Sequence, residues 1–458
     1  MKKLLLSVIL VTGVAVSCQR EPSVVVPSDQ ERTDVEISTN YRSYDEALDI
    51  AVDAIETFYG NDTRHAGKRR VIQERGQVVM RSATRSNVTD DEPLMYIFNN
   101  EDNMGFTIVS ANRSTQPLIA VTEQGNYIYG TTTGVEPFDL YITDVEAQLM
   151  SLPTPIPLPN IPLVPTPGCV ADTIYYHNST IDALLTTKWG QGGIYGNLCP
   201  NGLSGCSITA AVQIMAFHKH PDFLFTSYLG ANNFDVMTID WDELLFHVEG
   251  RGIYDFGVDQ YMCNCGCNHE QISMIMREIG HRAGTEYIID DPSTTDNEAR
   301  SPTVNLDIYN ELCLLGFGNP LYQSSATFDD FQDEIFENLD NSRPIFIAGF
   351  SETYGHAWVI DGYDYLDYRI DYYKANPNYN PSIGINPEPE YVYDLTREYK
   401  ERLLHFNWGW DGNCDGWFAY GCFAPGSGET YDDDGESNSS SRNYNRSYSL
   451  IYNIYPSN

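Results

Sequence analysis

Gly205-Cys206-Ser207-Ile208-Thr209-Ala210-Ala211-Val212-Gln213-Ile214-Met215-Ala216-Phe217-His218 is the stretch on which the reading of this chain turns. Ile208, Ala211, Val212, Met215 and Ala216 recur at helical spacing, so a helix is expected from about Ser207 to His218. That helix carries a cysteine at its mouth. Nucleophilic chemistry needs a thiolate, and the free N–H groups and dipole of a helix N-terminus favour negative charge there. Gly205 lets the backbone approach closely. A buried structural cysteine, or half of a disulfide, fits the same residues, so the helix alone does not decide.

A thiol nucleophile needs a base. Gly355-His356-Ala357-Trp358-Val359-Ile360-Asp361-Gly362 puts His356 at the opening of an apolar strand. Further on stands His405-Phe406-Asn407-Trp408-Gly409-Trp410-Asp411-Gly412. The Asn407 amide suits the third role, orienting an imidazole, and the neighbouring Trp408 indole suits shielding that contact from water. An ordinary aromatic strand and turn is the plainer reading. Four of the six tryptophans fall between 358 and 417, which favours an aromatic-walled cleft. Upstream, Trp189-Gly190-Gln191 offers a side-chain amide as an oxyanion donor.

Working outward, Ser43-Tyr44-Asp45-Glu46 has the pattern of a helix-capping box. Ala47, Leu48, Ala51, Val52, Ile55 and Phe58 follow on one face. Strands are expected near Val78–Met80, at Leu94–Phe98, Phe106–Val109 and Pro117–Thr122, giving a small α+β domain over 39–150. Seven prolines within 153–167 mark a linker, 151–168, that favours extended geometry and offers proteases an accessible backbone. The remaining residues, 169–458, form a large domain. Helices are expected over 269–281 and Phe328–Leu339. Strands are expected at Ile345–Phe350, Ala357–Gly362, Leu403–Trp408, Gly416–Tyr420 and Ser449–Ile454. Helices first and an antiparallel sheet after is an α+β order.

Together these blocks resemble the streptopain family of papain-like cysteine peptidases. The resemblance runs through Trp189-Gly190-Gln191, Cys199-Pro200, Gly205-Cys206, Gln213-Ile214-Met215, His218 and Pro221. It continues through Gly355-His356-Ala357 to Gly362 and His405 to Gly412. Leu94–Phe98 and Gly105–Ser110 look like that family's inhibitory propeptide. The resemblance implies an α+β papain-like domain, a helical part plus an antiparallel sheet, behind a small α+β propeptide domain. It implies Cys206 and His356 as the catalytic pair and Gln191 in the oxyanion hole, with Asn407 or Trp408 orienting His356. Trp410 and Gly355 would line the substrate cleft. Residues 364–400, rich in Tyr and Pro, exceed the family's usual connection and read as a long hairpin or lid. Cys206-Ser207-Ile208 replaces the family's Cys-Val-Ala with no loss of mechanism.

The N-terminus speaks to compartment. Lys2 and Lys3 precede an apolar run, Leu4 to Val16, that describes a signal peptide over 1–17. Ala15-Val16-Ser17-Cys18 resembles a bacterial lipobox, so Cys18 is expected to carry a lipid, with 18–38 as a tether. The expected location is a bacterial envelope, or outside the cell once the mature form is freed. Ten cysteines fit export: beyond Cys18 and Cys206, eight remain for up to four disulfides, with Cys169, Cys199, Cys313, Cys414 and Cys422 as candidates. Cys263-Asn264-Cys265-Gly266-Cys267-Asn268-His269 is spaced more tightly than structural zinc sites and reads as a disulfide-pinned insertion. No metal or organic cofactor is expected.

Acidic residues outnumber basic ones, 64 to 27, for a net charge of −37. That balance argues against nucleic acid as a partner. The expected partners are protein or peptide substrates and the chain's own propeptide, held as an intramolecular inhibitor. A catalytically silent, peptidase-like binding protein is the alternative, and acyl transfer between peptides would use the same Cys-His logic.

Overall fold

The structure is a computed structural model. It describes residues 41–60, 70–73, 75–80, 92–113, 115–151, 170–226, 235–249, 270–289, 300–326, 328–350, 355–378, 391–420 and 448–457. The signal peptide, Cys18 and its tether, nearly all of the linker, the Cys263–His269 run and the acidic stretch 425–446 lie outside these.

The chain opens with α1 (Tyr44–Tyr59), β1 (Gln77–Met80), β2 (Pro93–Asn99), β3 (Phe106–Ser110), β4 (Leu118–Thr122) and α2 (Glu136–Ser151). The capping box of α1 is closed in both directions: Glu46 N donates to Ser43 Oγ at 3.3 Å, and Ser43 N to Glu46 Oε2 at 2.8 Å. Strands β2, β3 and β4 are buried along their whole length because α1 and α2 pack with them. Helix α2 is absent from the sequence expectations. Pro137 in its first turn is compatible with a helix start, where a missing N–H costs nothing.

Next come β5 (Val170–Ile181), the short α3 (Gly193–Gly196), α4 (Cys206–His218), β6 (Phe223–Thr226), β7 (Asp235–Thr238), α5 (Trp241–Glu249), α6 (Glu270–Arg282) and α7 (Asn305–Leu314). The last elements are β8 (Leu321–Ala326), α8 (Phe328–Asp340), β9 (Ile345–Phe350), β10 (Gly355–Ala375), β11 (Tyr391–Asn407), β12 (Gly416–Ala419) and β13 (Tyr448–Tyr452). The expected helices and strands of this half are present, with α3, α5, α7 and β5–β8 in addition. Residues 364–400 supply the outer arms of β10 and β11, paired to each other and, on the other side of β10, to β5. Residues 379–390 of that segment lie outside the described chain.

One antiparallel sheet runs in the order β1-β2-β3-β4-β12-β11-β10-β9-β13-β8, so the two halves of the chain share a sheet. The join is β4 on β12, with Thr122 opposite Gly416, Val121 opposite Trp417 and Ala120 opposite Phe418. Gly416 is required there: a Cβ would stand 2.3 Å from the Val121 carbonyl oxygen. The core follows the join. Ile55, Phe106, Phe138 and Leu149 from the first half are buried with Trp358, Phe406, Trp408 and Phe418 from the second. Phe58 stacks on Trp417 with centroids 4.8 Å apart, and the Tyr141 hydroxyl donates to the Ala419 carbonyl at 3.0 Å.

Successive residues of β9 and β10 face opposite sides of the sheet. Phe346, Ala348, Ala357 and Val359 pack with α4, α6 and α7, whereas Ile345, Ile347, Trp358 and Ile360 join the core shared with the first half. Both faces are covered, which is why this sequence reads as an unbroken apolar run.

Three of the cysteines considered for disulfides carry free thiols: Cys199, Cys313 and Cys414. Each sulfur has a different neighbour, Tyr287, Tyr309 and Thr133 respectively, on separate elements. Cys169 and Cys422 lie outside the described residues.

The Gly416 contact yields a first prediction. Gly416→Ala should force β12 off β4 and lower the stability of the full chain by about 1–3 kcal/mol. Thermal unfolding reads this directly, and an unchanged midpoint would contradict the pairing.

Candidate active site

Cys206 opens α4, where the sequence pattern puts it. Gly205 before it has φ +92°, and a Cβ there would stand 2.4 Å from the Ser301 carbonyl oxygen, so the approach to the helix needs glycine. The Cys206 thiol is hydrogen-bonded by the main chain of Ala357, the residue after His356. Burial pushes the thiol pKa up, and the contacts with Ala357 and Ser207 act the other way.

His356 is 2% exposed. Its Nε2 lies 2.9 Å from the Trp408 carbonyl oxygen. A carbonyl only accepts, so Nε2 carries the proton and Nδ1 has the free lone pair. The ring lies parallel to Trp358 at 6.2 Å and tilted against Trp410 at 5.3 Å. It therefore shares the face of Trp358, while Ala357 faces α4. Burial drives its pKa down to about 4, against the pull of the Trp408 carbonyl and of Glu136 in the first turn of α2. No hydrogen bond joins Cys206 and His356 among the described residues.

In the described chain the Asn407 amide, expected from its sequence position to orient His356, makes its hydrogen bonds elsewhere. Its Nδ2 donates to Thr187 O at 2.7 Å, and its Oδ1 accepts from Gly409 N at 3.1 Å and Gln213 Nε2 at 3.0 Å. Alternation along β11 sends Asn407 toward α4 and its neighbours Phe406 and Trp408 into the other core. The Trp408 indole also turns elsewhere, its Nε1 donating to Cys414 O at 3.0 Å. The main-chain carbonyl of Trp408 makes the contact with His356.

Gln191 is partly exposed. Its carbonyl accepts from Ser204 N at 2.8 Å and Ser204 Oγ at 3.1 Å, which ties residue 191 to the chain entering α4. Gly190 sits against Asp411: a Cβ would meet Asp411 Oδ1 at 2.4 Å. Trp410 is partly buried beside His356, and Gly355 is exposed at the start of β10.

Behind the site lies a charged cluster that sequence reading did not single out. His405 Nδ1 is 2.6 Å from Asp361 Oδ1, and Asp361 Oδ2 accepts from Leu185 N at 2.8 Å. Glu123, from the end of β4, reaches in from the first half, with Oε1 at 3.7 Å from His405 Nε2 and Oε2 paired to Lys188. Asp415 accepts from Trp408 N at 2.8 Å. Burial alone would lower the His405 pKa, but the charge and hydrogen bond of Asp361, with Glu123, outweigh it and hold the imidazole up at about 10. Burial pushes Asp415 up to about 7. Asp361 sits inside the quoted Ile-Asp-Gly motif, so a signal was present. Glu123 carried none, because its partners are contributed by the other half of the chain.

The sequence pattern described as the Peptidase C10 family matches residues 189–418, and that of the Spi protease inhibitor matches 37–145. Streptopain of Streptococcus pyogenes is 20% identical over 370 residues, covering 72% of this chain and 75% of streptopain. The thiol protease/hemagglutinin PrtT of Porphyromonas gingivalis is 23% identical over 356 residues, 74% of this chain but 35% of PrtT. Among solved structures, a fragment of Prevotella intermedia prointerpain A covers 84% of this chain at 17% identity and a TM-score of 0.48.

The cluster yields a second prediction. A histidine whose pKa is raised in the folded chain contributes stability below its unfolded pKa of about 6.5 and loses it as pH rises through its folded value. Asp361→Asn should therefore cost about 3 kcal/mol at pH 6, and the deficit should narrow between about pH 6.5 and 10. Urea midpoints of both proteins across that range check it. A deficit that grows with pH would refute the assignment.

Proposed function

The chain belongs to the Peptidase C10 family and is a cysteine-type endopeptidase with an N-terminal propeptide, and from that premise we propose that Cys206 and His356 are its catalytic pair. The observation that carries the proposal is the Trp408 carbonyl on His356 Nε2. It holds one tautomer, with Nδ1 free to act as base, on a strand whose next residue touches the Cys206 thiol. His356 Nδ1 takes the Cys206 proton, and the thiolate attacks the peptide carbonyl carbon. The Gln191 amide and the Cys206 backbone N–H stabilise the oxyanion. As the tetrahedral intermediate collapses, imidazolium Nδ1–H protonates the leaving amine. Water, deprotonated by His356, then cleaves the thioester and frees the new carboxylate. In the described chain the Trp408 carbonyl holds Nε2–H and leaves Nδ1 without a proton.

In the described chain this pair is at rest. Burial favours the neutral form of both groups, and His356 faces the core shared with the propeptide. We propose that residues 39–150 hold the enzyme as a zymogen by strand pairing at β12 and by burying His356. Cleavage in the Pro-rich linker would release them, after which the imidazole returns toward its ordinary pKa and can turn to Cys206. Export through residues 1–17, with lipidation at Cys18, is the compartment the sequence supports.

Two measurements test this reading. Cys206→Ala should abolish casein hydrolysis, and His356→Ala should lower kcat about a thousandfold or more. Iodoacetamide should modify Cys206 slowly in the intact chain and much faster near neutral pH after linker cleavage. Casein hydrolysis that survives Cys206→Ala would end the proposal.

A further inference from the structure

Gln213 is 0% exposed, seven residues into the helix that Cys206 opens. Seven residues are close to two turns, so the two side chains share a face about 10 Å apart along the axis. Thr209, on the same face, donates to Gly190 O at 3.3 Å. A buried amide is costly unless its donors and acceptor are met. Here they are met by two other segments. Gln213 Nε2 donates to Asn407 Oδ1 at 3.0 Å. Its Oε1 accepts from Trp189 N at 3.2 Å and Asn407 Nδ2 at 3.3 Å. Asn407 passes the restraint along its own strand by accepting from Gly409 N, which brackets Trp408 between two fixed residues. The core around α4 is otherwise built from Ile208, Ala211, Val212 and Met215, and its packing has no need of an amide.

We propose that Gln213 is a positioning residue for the hydrolytic reaction. Its single amide sets the register between three pieces of chain. These are α4, which carries Cys206; residues 407–409, whose Trp408 carbonyl orients His356; and residues 187–191, which lead to Gln191. The proposal rests on the reading of Cys206 and His356 as the catalytic pair. Gln213 touches neither substrate nor reacting atoms. Its loss should misplace them, lowering kcat while leaving KM nearly unchanged.

The test uses the full chain, cut in the 153–167 linker by an added protease, with a fluorogenic peptide as substrate and thermal midpoints recorded in parallel. Gln213→Leu removes every contact and should lower kcat about 10- to 100-fold at all pH, with KM within about twofold. Gln213→Glu distinguishes positioning from mere stability. Ionised, it has acceptors only and faces Asn407 Oδ1 with no donor. Protonated, it can donate again, and burial raises its pKa. The ratio of its kcat to that of the parent should therefore recover as pH falls from about 8 to 5. A folded Gln213→Leu with kcat within twofold of the parent overturns the proposal. So does a kcat ratio for Gln213→Glu that stays flat with pH, and this arm decides alone if the leucine variant does not fold. Cys206→Ala and His356→Ala run beside them: activity surviving in those would refute the catalytic pair itself, a different result from normal activity in the Gln213 variants.

Discussion

The interaction on which the rest of this structure depends is the pairing of β4 with β12. It turns two modules into one sheet, and it needs Gly416, since any side chain there would meet the Val121 carbonyl. The shared core and the entry of Glu123 between Lys188 and His405 follow from it. So does the packing that covers the face on which His356 lies. Paired in this way, β12 has the N–H and C=O groups of its outer side satisfied by the propeptide.

On the proposed reading, inhibition by such a lid combines the turn of His356 away from Cys206 with desolvation. Desolvation raises the thiol pKa of the partly buried Cys206 and lowers that of the buried His356, because low-dielectric surroundings penalise the charged forms. In this state a main-chain carbonyl, that of Trp408, holds Nε2 of His356. Under the proposal, the propeptide withholds the turn of the ring toward the thiol and the water that lets an ion pair form.

Much of the fold was legible because it is written in local patterns. The α1 capping box, the apolar spacing of α4, α6 and α8, and the unbroken runs of β9 and β10 each carry their own signal. Helices α2, α5 and α7 stand outside the quoted motifs and carried no comparable signal. The candidate site was legible in its residue types and less so in its contacts. Asn407 was expected beside the imidazole from its place in the His405–Gly412 block, but strand alternation turns it to α4. Gln213 stood inside a quoted motif without a role, because its partners Trp189 and Asn407 come together only in three dimensions.

The sequence by itself determined the chemistry of this protein. A cysteine at a helix mouth behind a glycine, a histidine opening an apolar strand, an amide upstream and a Pro-rich break between two modules are local facts. Spacing and propensity suffice to read them. Only the tertiary structure decided which atom orients the histidine, which amide ties the three segments together, and how the first module closes on the second. Those are contacts between residues up to about 290 positions apart, as in Gln124 Nε2 to Asn413 Oδ1 at 3.3 Å. Hydrogen-bond geometry and strand register fix them, and neither is set until the sheet is assembled.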